Sequence, residues 1–271
     1  MSELCKYLNI SKSSFYYHKS RMENDKYDEL KNLILELFYT HKCRYGYRRI
    51  LIALRQFDIK INHKTVLKLM KSLGLKGKVG KNRKYNSYKG TVGRVAPNII
   101  NRDFKASSPF EKLYTDVTEF KVADDKKIYF SPVVDGFSGE IVAYSISERG
   151  DLKLVLDTLR ALYKAMPKDL AKQPILHSDQ GFQYQHVAVV NSLANHGIAQ
   201  SMSRKATCLD NALMEGTFGK IKVEFFHGEE FNGRHDFVKR LKEYIQYYNN
   251  ERIKTALNMS PVEYRRQFNA A

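Results

Sequence analysis

The chain has 271 residues, of which 43% are hydrophobic, and its formal net charge is +17. This length suits one sizeable domain and a smaller one, and no run approaches the about 18 consecutive apolar residues that a membrane-spanning helix needs. The three cysteines are scattered and form no CxxC pair, which argues against a disulfide framework and favours a reducing cytoplasm.

The excess positive charge lies almost entirely in the first part of the chain. Residues 1–105 contain 24 Lys and Arg against 8 Asp and Glu, whereas residues 106–271 contain 22 against 21. Between Asp58 and Asp103 there are twelve basic residues and no acidic one. Such a block repels itself unless a polyanion neutralises it, so nucleic acid is the expected partner, and a solubilising tail is the alternative.

Two short helices are predicted at the start of the chain. Leu4 and Leu8 share one helical face, and Ser11 is a suitable N-cap for the second helix. Lys12 then lies in the first turn of that helix, where recognition helices contact base edges. A short amphipathic hairpin gives the same pattern and stays an alternative.

Three further helices with basic outer faces are predicted up to residue 75. Asn62 is the predicted N-cap of the last of them, and Gly74 ends it. We therefore assign residues 1–75 to an all-α, helix-turn-helix-like DNA-binding region. The basic residues expected on its DNA-binding face are Arg44, Arg48, Arg49, Lys64, Lys68 and Lys71.

Residues 76–105 predict a basic linker, because they are rich in Gly, Asn and Lys and lack helical periodicity. From residue 106 onwards, strand and helix patterns alternate. Five strands are predicted, at 112–122, 128–134, 139–146, 173–178 and 198–203, and Asp151 is the predicted N-cap of a helix between the third and fourth strands. Residues 106–271 therefore predict an α/β domain with a mixed five-stranded sheet and flanking helices.

Three acidic residues of this domain lie in different local contexts. Asp116 lies in the first predicted strand, Asp179 follows the apolar run PILHS, and Glu215 lies on a helix predicted over 210–227. Taken alone, Asp179 is equally well a turn residue and Glu215 a solvated helix residue. Taken together, they are the oxygen ligands that Mg²⁺ prefers, and two such ions can hold the attacking and leaving oxygens of a phosphodiester.

The geometry of the predicted helix gives Glu215 a direction. At about 100° per residue, Asn211, Glu215 and Lys222 share one face. A separate apolar stripe is available to pack on the sheet: Met214, Phe218, Ile221 and Phe225. Glu215 can therefore face the aspartates, and we expect Asn211 and Lys222 to contact DNA. The alternative for Lys222 is an ordinary solvated lysine.

Two other residues compete for a role in this site. Asp135 is the chief competing acid, but its Asp-Gly turn between two predicted strands explains it. His177 lies beside Asp179, where it either contacts substrate or water or is a packed histidine at a strand end.

Four segments carry a specific resemblance: LYTDVTEF, HSDQGFQY, SMSRKATCLDNALMEGTFGKIKVEFF and YIQYYNNERIKTALNMSPVEYRR. They are similar to DDE transposases of bacterial insertion sequences with two overlapping reading frames, specifically to the downstream-frame product. These transposases are relatives of retroviral integrases. The resemblance covers nearly the whole chain and departs at Tyr114, where relatives often have Trp, and at Lys254, where many have His.

The resemblance implies a ribonuclease-H-like catalytic core with Asp116, Asp179 and Glu215 as its catalytic and metal-binding triad, and it implies a DNA contact for Lys222. The implied cofactor is two Mg²⁺ ions, with Mn²⁺ as an alternative. The implied partners are transposon-end and target DNA, further copies of this chain on that DNA, and the upstream-frame protein of the same element. The implied location is the bacterial cytoplasm, at the nucleoid.

The expected function is therefore that of a transposase, which cleaves DNA at transposon ends and transfers the freed strand to a target. Two other functions stay open. One is a ribonuclease-H-like, structure-specific nuclease, and the other is a DNA-binding regulator whose core is only a scaffold.

Overall fold

A computed structural model describes residues 5, 7, 10–23, 25–79, 95–122, 126–170, 172–204 and 208–270. The chain divides into two compact units, Met1–Lys78 and Val79–Ala271. Leu4 and Leu8 of the predicted first helix, and residues 80–94 of the predicted linker, lie outside the described residues. None of the helices that the structure describes is long and apolar enough to cross a membrane.

The first unit is helical throughout its described secondary structure. Its described helices of four or more residues are α1 (Lys12–Glu23), α2 (Asp28–Thr40), α3 (Tyr47–Gln56) and α4 (His63–Ser72). The predicted caps are confirmed, because Ser11 Oγ accepts a hydrogen bond from the Ser14 N–H at 3.0 Å and the Asn62 side chain accepts one from the Lys64 N–H at 2.8 Å. The core of α2, α3 and α4 includes Ile34, Phe38, Ile50, Leu54, Val66 and Met70.

The second unit is built on a mixed sheet. Its strands are β1 (Lys112–Thr115), β2 (Thr118–Val122), β3 (Lys126–Asp135), β4 (Ile141–Ser147), β5 (Ile175–Ser178) and β6 (Ala199–Met202). The strand order is β2-β3-β1-β5-β6, and β4 also pairs with β3. The β1–β5 and β5–β6 pairs are parallel and the other pairs are antiparallel, which confirms the predicted mixed sheet.

The first predicted strand, 112–122, is divided at Asp116 and Val117 into β1 and β2. The pairs Thr115–Val133 and Thr118–Phe130 belong to one continuous register along β3, so Asp116 falls opposite Pro132. Proline has no N–H to donate to a ladder, which gives a physical reason for the break. Because β1 and β2 occupy one position in the sheet, six strands fill the five predicted positions.

Helices cover both faces of the sheet. They are α5 (Leu152–Ala165), α6 (Phe182–Gln185), α7 (Val187–Asn195), α8 (Ala212–Ile221), α9 (Gly233–Asn250) and α10 (Pro261–Ala270). The predicted cap of α5 is confirmed, because the Asp151 carboxylate accepts a hydrogen bond from the Leu154 N–H at 3.1 Å.

The helix predicted over 210–227 is α-helical only in α8. A 3₁₀ turn at Cys208–Asn211 precedes it, and a π turn at Lys222–Phe226 follows it. The wider π turn buries two consecutive side chains, Glu224 and Phe225, where α-helical spacing predicts burial of Phe225 alone.

Two hydrophobic clusters lie on opposite sides of the sheet, because neighbouring strand residues point to opposite faces. Tyr114 belongs to the cluster under α8 and α9, and Leu113 belongs to the cluster under α5 and α7. The predicted apolar stripe is confirmed, since all four of its residues are buried in the first cluster: Met214, Phe218, Ile221 and Phe225. This packing fixes α8 against the sheet and so sets where Glu215 can point.

Candidate active site

Asp116 and Asp179 lie side by side at one edge of the sheet. Strands β1 and β5 are parallel, and Tyr114 pairs with His177. Continuing this register by two residues pairs Asp116 with Asp179, just beyond the two strand ends. Residues paired in this way point to the same face of a sheet, and the carboxyl ends of parallel strands form a common edge where ligands bind.

Burial and like charge make Asp116 hard to ionise. Burial of the carboxyl group raises the pKa of Asp116, and the neighbouring charge of Asp179 raises it further, to about 8. The Val117 N–H, which donates to Asp116 Oδ1 at 2.7 Å, has a smaller, lowering effect on this pKa. Glu215 adds a smaller upward effect and Lys222 a downward one. The charges of Asp179, Glu215 and Lys222 therefore all affect the ionisation of Asp116.

The other two acids also have raised pKa values. Burial raises the pKa of Asp179, although its Oδ1 accepts a hydrogen bond from the Gly181 N–H at 2.9 Å. Burial likewise raises the pKa of Glu215. Across the described residues, no group of three or more His, Cys, Asp or Glu is gathered tightly enough to hold one metal ion. The charge of Asp179 raises the pKa of Asp116 more than that of Glu215 does, so Asp116 and Asp179 form the closer pair.

Asn211 completes the wall of this site. It is buried, and its Nδ2 lies 3.4 Å from Asp116 Oδ2. Among the described residues, its Oδ1 has no hydrogen-bond partner. The groups here that can bind a cation are oxygens: the three carboxylates, and the amide oxygen of Asn211, which lacks a hydrogen-bond partner among the described residues. This donor set fits a hard divalent cation such as Mg²⁺.

The predicted DNA-binding side chains of the first unit lie mostly on its surface. Lys12, Arg48, Lys64, Lys68 and Lys71 are exposed. Arg44 and Arg49 are half-buried; Arg49 Nη1 donates to the Arg44 carbonyl at 3.3 Å, and its guanidinium lies 5.5 Å from the centre of the Tyr45 ring. The Arg49 side chain therefore also helps to hold the turn before α3 together.

His177 and Asp135 have structural environments. The buried His177 ring contacts Ser201 Oγ at 2.9 Å through Nδ1 and donates from Nε2 to the Asp210 carbonyl at 3.0 Å, so it is a packed histidine at a strand end. Asp135 is buried and accepts hydrogen bonds from the Phe110 N–H at 3.1 Å and the Ser138 N–H at 2.9 Å. Its carboxylate therefore holds the β3–β4 turn.

Two ion-pair clusters were not predicted from the sequence. Asp210 accepts hydrogen bonds from both Arg102 and Arg204, and Glu224 binds Arg252 through two bonds of 2.7 Å. Arg102 and Arg252 are distant in sequence from the acids they bind, so periodicity carries no signal for either contact.

Models of protein families define the class of this protein. Residues 106–208 and 215–268 match two models that are both described as an integrase core domain, and residues 26–84 match an HTH-like domain. The integrase core matches contain Asp116, Asp179 and Glu215, and the HTH-like match contains α2, α3 and α4.

Relatives with closely similar sequences identify the family. The transposase InsK assigned to insertion sequence element IS150 of Escherichia coli K12 is 45% identical over 98% of this chain and 94% of its own length. A transposase-like protein of Haemophilus influenzae is 47% identical over 77% of this chain and 95% of its own length. The chain belongs to the family of bacterial insertion-sequence transposases with an integrase core domain, which confirms the resemblance found in the sequence.

A solved structure supports the same fold. A chain of the simian T-cell lymphotropic virus intasome, determined in complex with the PP2A regulatory subunit B56 gamma, matches 86% of this chain and 74% of its own length. The TM-score is 0.51 at 13% sequence identity, so the likeness is one of fold.

Proposed function

We propose that this chain catalyses metal-dependent cleavage and transfer of DNA strands at the ends of an insertion sequence, with Asp116, Asp179 and Glu215 as its catalytic triad. The observation that carries this proposal is the pairing of Asp116 with Asp179 at the ends of two adjacent parallel strands. Membership of the transposase family and the integrase core domain agree with it.

Asp116, Asp179 and Glu215 would hold two Mg²⁺ ions, or Mn²⁺ in their place. The Asn211 Oδ1, which has no hydrogen-bond partner among the described residues, would gain one from such an ion or its water. Such ions, when bound, activate the attacking oxygen and stabilise the leaving oxygen of a phosphodiester. In their absence the acids repel one another, which agrees with the raised pKa of Asp116.

The protein's own groups orient the carboxylates. The Val117 N–H fixes one oxygen of Asp116 and Asn211 Nδ2 approaches the other, while the Gly181 N–H fixes Oδ1 of Asp179. Lys222 brings positive charge to the same place and contacts a DNA phosphate in this proposal. Side chains held in this way lose little freedom when substrate binds, which favours the reaction.

The proposed reaction has two steps. Water first attacks the phosphodiester at a transposon end and releases a 3′-OH, and that 3′-OH then attacks a phosphodiester of the target. Each step exchanges one P–O bond for another, and no covalent bond to the protein forms. The tyrosines of α9 are therefore not proposed as nucleophiles.

DNA recognition is divided between the two units. We propose residues 1–75 as the region that binds transposon ends, 76–105 as a basic linker that contacts phosphates, and 106–271 as the catalytic domain. Exposed Lys12, Arg48, Lys64 and Lys68, together with Arg49, supply the DNA contacts of the first region. The active form is proposed to be a homo-oligomer on DNA in the bacterial cytoplasm, at the nucleoid, and the upstream-frame protein is a further proposed partner.

The test is incubation of the protein with a labelled duplex from the element's end, a target plasmid and Mg²⁺. Joined product that disappears in Asp116→Asn supports a transposase. Cleavage without joining supports a structure-specific nuclease, and neither product supports a DNA-binding regulator. Glu119→Gln is the matched control, because this exposed acid lies on β2 and pairs with Lys127 at 3.1 Å.

A further inference from the structure

Asp210 holds two arginines at once, although its side chain has no exposed surface. Arg204 reaches both of its carboxylate oxygens, with Nε at 2.9 Å and Nη2 at 3.1 Å, and Arg102 donates from Nε at 2.9 Å. A buried carboxylate needs a charged partner, and one arginine bound through two parallel hydrogen bonds supplies it. The second arginine exceeds that need, and the cluster keeps a net positive charge.

Both arginines remain accessible while they are fixed. The Arg102 and Arg204 side chains are 47% and 53% exposed. Arg102 uses only Nε in its contact with Asp210, and Arg204 makes its contact without Nη1. A planar guanidinium held on one side by a carboxylate can offer its remaining N–H groups to the oxygens of a phosphate.

The cluster adjoins the carboxylate site through two connections. Strand β6 runs parallel to β5, and the residue after it, Ser203, donates from its N–H to the Ser178 carbonyl at 2.9 Å. Gln180 Nε2 also donates to the Ser203 carbonyl at 3.0 Å. Ser203 is thus hydrogen-bonded to the residues before and after Asp179. Arg204 follows Ser203, at the edge of the sheet where β1, β5 and β6 end.

The second connection runs through the 3₁₀ turn. Asp210 and Asn211 are consecutive residues, and Asn211 Nδ2 lies 3.4 Å from Asp116 Oδ2. On the other side, Asp210 accepts a hydrogen bond from Asn98 Nδ2 at 3.0 Å, which ties the segment that carries Arg102 to this turn. Arg102 and Arg204 are therefore anchored to the segments that carry Asn211 and flank Asp179.

We propose that Arg102 and Arg204 form a phosphate clamp, arranged in advance by Asp210, that holds the DNA backbone beside the strand undergoing reaction. This inference deepens the proposed function and rests on it, because it assumes that DNA lies across the carboxylate site. The clamp opposes the negative charge of the acids, which alone would repel DNA. Contacts to phosphate position DNA without reading its sequence.

The experiment measures DNA binding by the full-length protein without a divalent cation. A labelled duplex of arbitrary sequence serves as the probe, and the dissociation constant is measured between about 50 and 200 mM salt. The variant is Arg102→Gln with Arg204→Gln. We expect the slope of log affinity against log salt to become shallower by about 0.9 for each phosphate that the variant no longer neutralises.

The chain offers a matched control on α5, where Lys153 and Arg160 both bind Asp157. Lys153→Gln with Arg160→Gln removes the same charge from another acid with two basic partners, on a helix that supplies no residue to the site. We expect its slope to match that of the unmodified protein. Equal slopes for the two double variants would overturn the clamp.

A third variant separates DNA contact from folding. Removing both arginines leaves the Asp210 charge buried without a cationic partner, so Asp210→Asn is added to them and the Tm is recorded for each protein. The clamp predicts that Asp210→Asn restores part of the Tm while the slope stays shallow. A slope that recovers together with the Tm assigns the arginines a structural role only and overturns the proposal.

The outcome is also separable from that of the proposed function. If the unmodified protein joins strands and Arg102→Gln with Arg204→Gln leaves the salt slope unchanged, the clamp alone is contradicted. A shallower slope, found together with no strand joining by the unmodified protein, supports the clamp as a DNA contact and contradicts the proposed reaction.

Discussion

Asp116 is the residue on which the proposed chemistry depends, and its surroundings explain its raised pKa. It follows a short strand, stands opposite Pro132, and lies beside a second acid. Burial and the charge of Asp179 raise its pKa to about 8. A carboxyl group in such a place costs stability when it is ionised, and a cation removes that cost.

Removing the charge should therefore stabilise the metal-free protein. The folded protein binds the Asp116 proton more tightly than the unfolded chain, so stability falls as pH rises from the ordinary pKa of 3.8 towards about 8. We expect Asp116→Asn to raise the Tm at pH 8 by at least about 2 °C, with the difference shrinking towards pH 4. Thermal denaturation in a chelator measures this, and equal Tm values at pH 8 would contradict it.

Mg²⁺ binding should release protons for the same reason. A protonated carboxyl cannot act as a ligand, so the apparent affinity for Mg²⁺ should rise between about pH 6 and pH 8, across the raised pKa of Asp116. Titration calorimetry in buffers of different ionisation enthalpy counts the protons released. The same affinity at both pH values, with no proton release, would count against metal binding at this pair. Asp116→Asn should bind Mg²⁺ more weakly and release fewer protons, whereas Glu119→Gln should match the unmodified protein.

At the scale of elements, sequence patterns predicted the features that depend on local chemistry. Ser11, Asn62 and Asp151 were predicted as caps from their residue type, and each accepts a hydrogen bond from the first turn of its helix. The break in the first strand was missed because Pro132, opposite it, lies on another strand. The π turn was missed because the contact of Glu224 with Arg252, which accompanies it, joins residues distant in the sequence.

The π turn gives a prediction about stability. Glu224 is bound by Arg252 and by the Tyr244 hydroxyl at 3.1 Å, and Glu224 and Arg252 are both buried. Arg252→Met leaves a buried charge without its cation, so we expect the free energy of unfolding to fall by about 3–5 kcal/mol. Denaturation in urea measures the change.

A second substitution tests the reason for that loss. Glu224→Gln added to Arg252→Met removes the stranded charge, and should recover a large part of the lost free energy. If the double variant is no more stable than Arg252→Met, the loss comes from packing rather than from an unpaired Glu224. Arg265→Met is a useful comparison, because its ion pair with Glu140 is more exposed.

For the whole molecule, the sequence predicted the family and the α/β class. It did not predict the contacts between residues that are distant in the chain. Counting charged residues located the basic excess in the first 105 residues. Four sequence segments indicated the transposase family. The pairing of Asp116 with Asp179 needed the β1–β5 register, which joins residues about sixty apart in the chain. The binding of Arg102 to Asp210 likewise joins residues far apart in the chain, so it could be found only in the folded structure.

Asp116, Asp179 and Glu215 are proposed to act together in strand transfer. This proposal is tested by the rate of joined-product formation under single-turnover conditions for Asp116→Asn, Asp179→Asn and Glu215→Gln, with DNA binding recorded in parallel. We predict that each variant still binds DNA and loses at least about a hundredfold in rate, the equivalent of several kcal/mol of transition-state stabilisation, while Glu119→Gln joins strands normally. Joining at the unmodified rate by any of the three variants would contradict the claim.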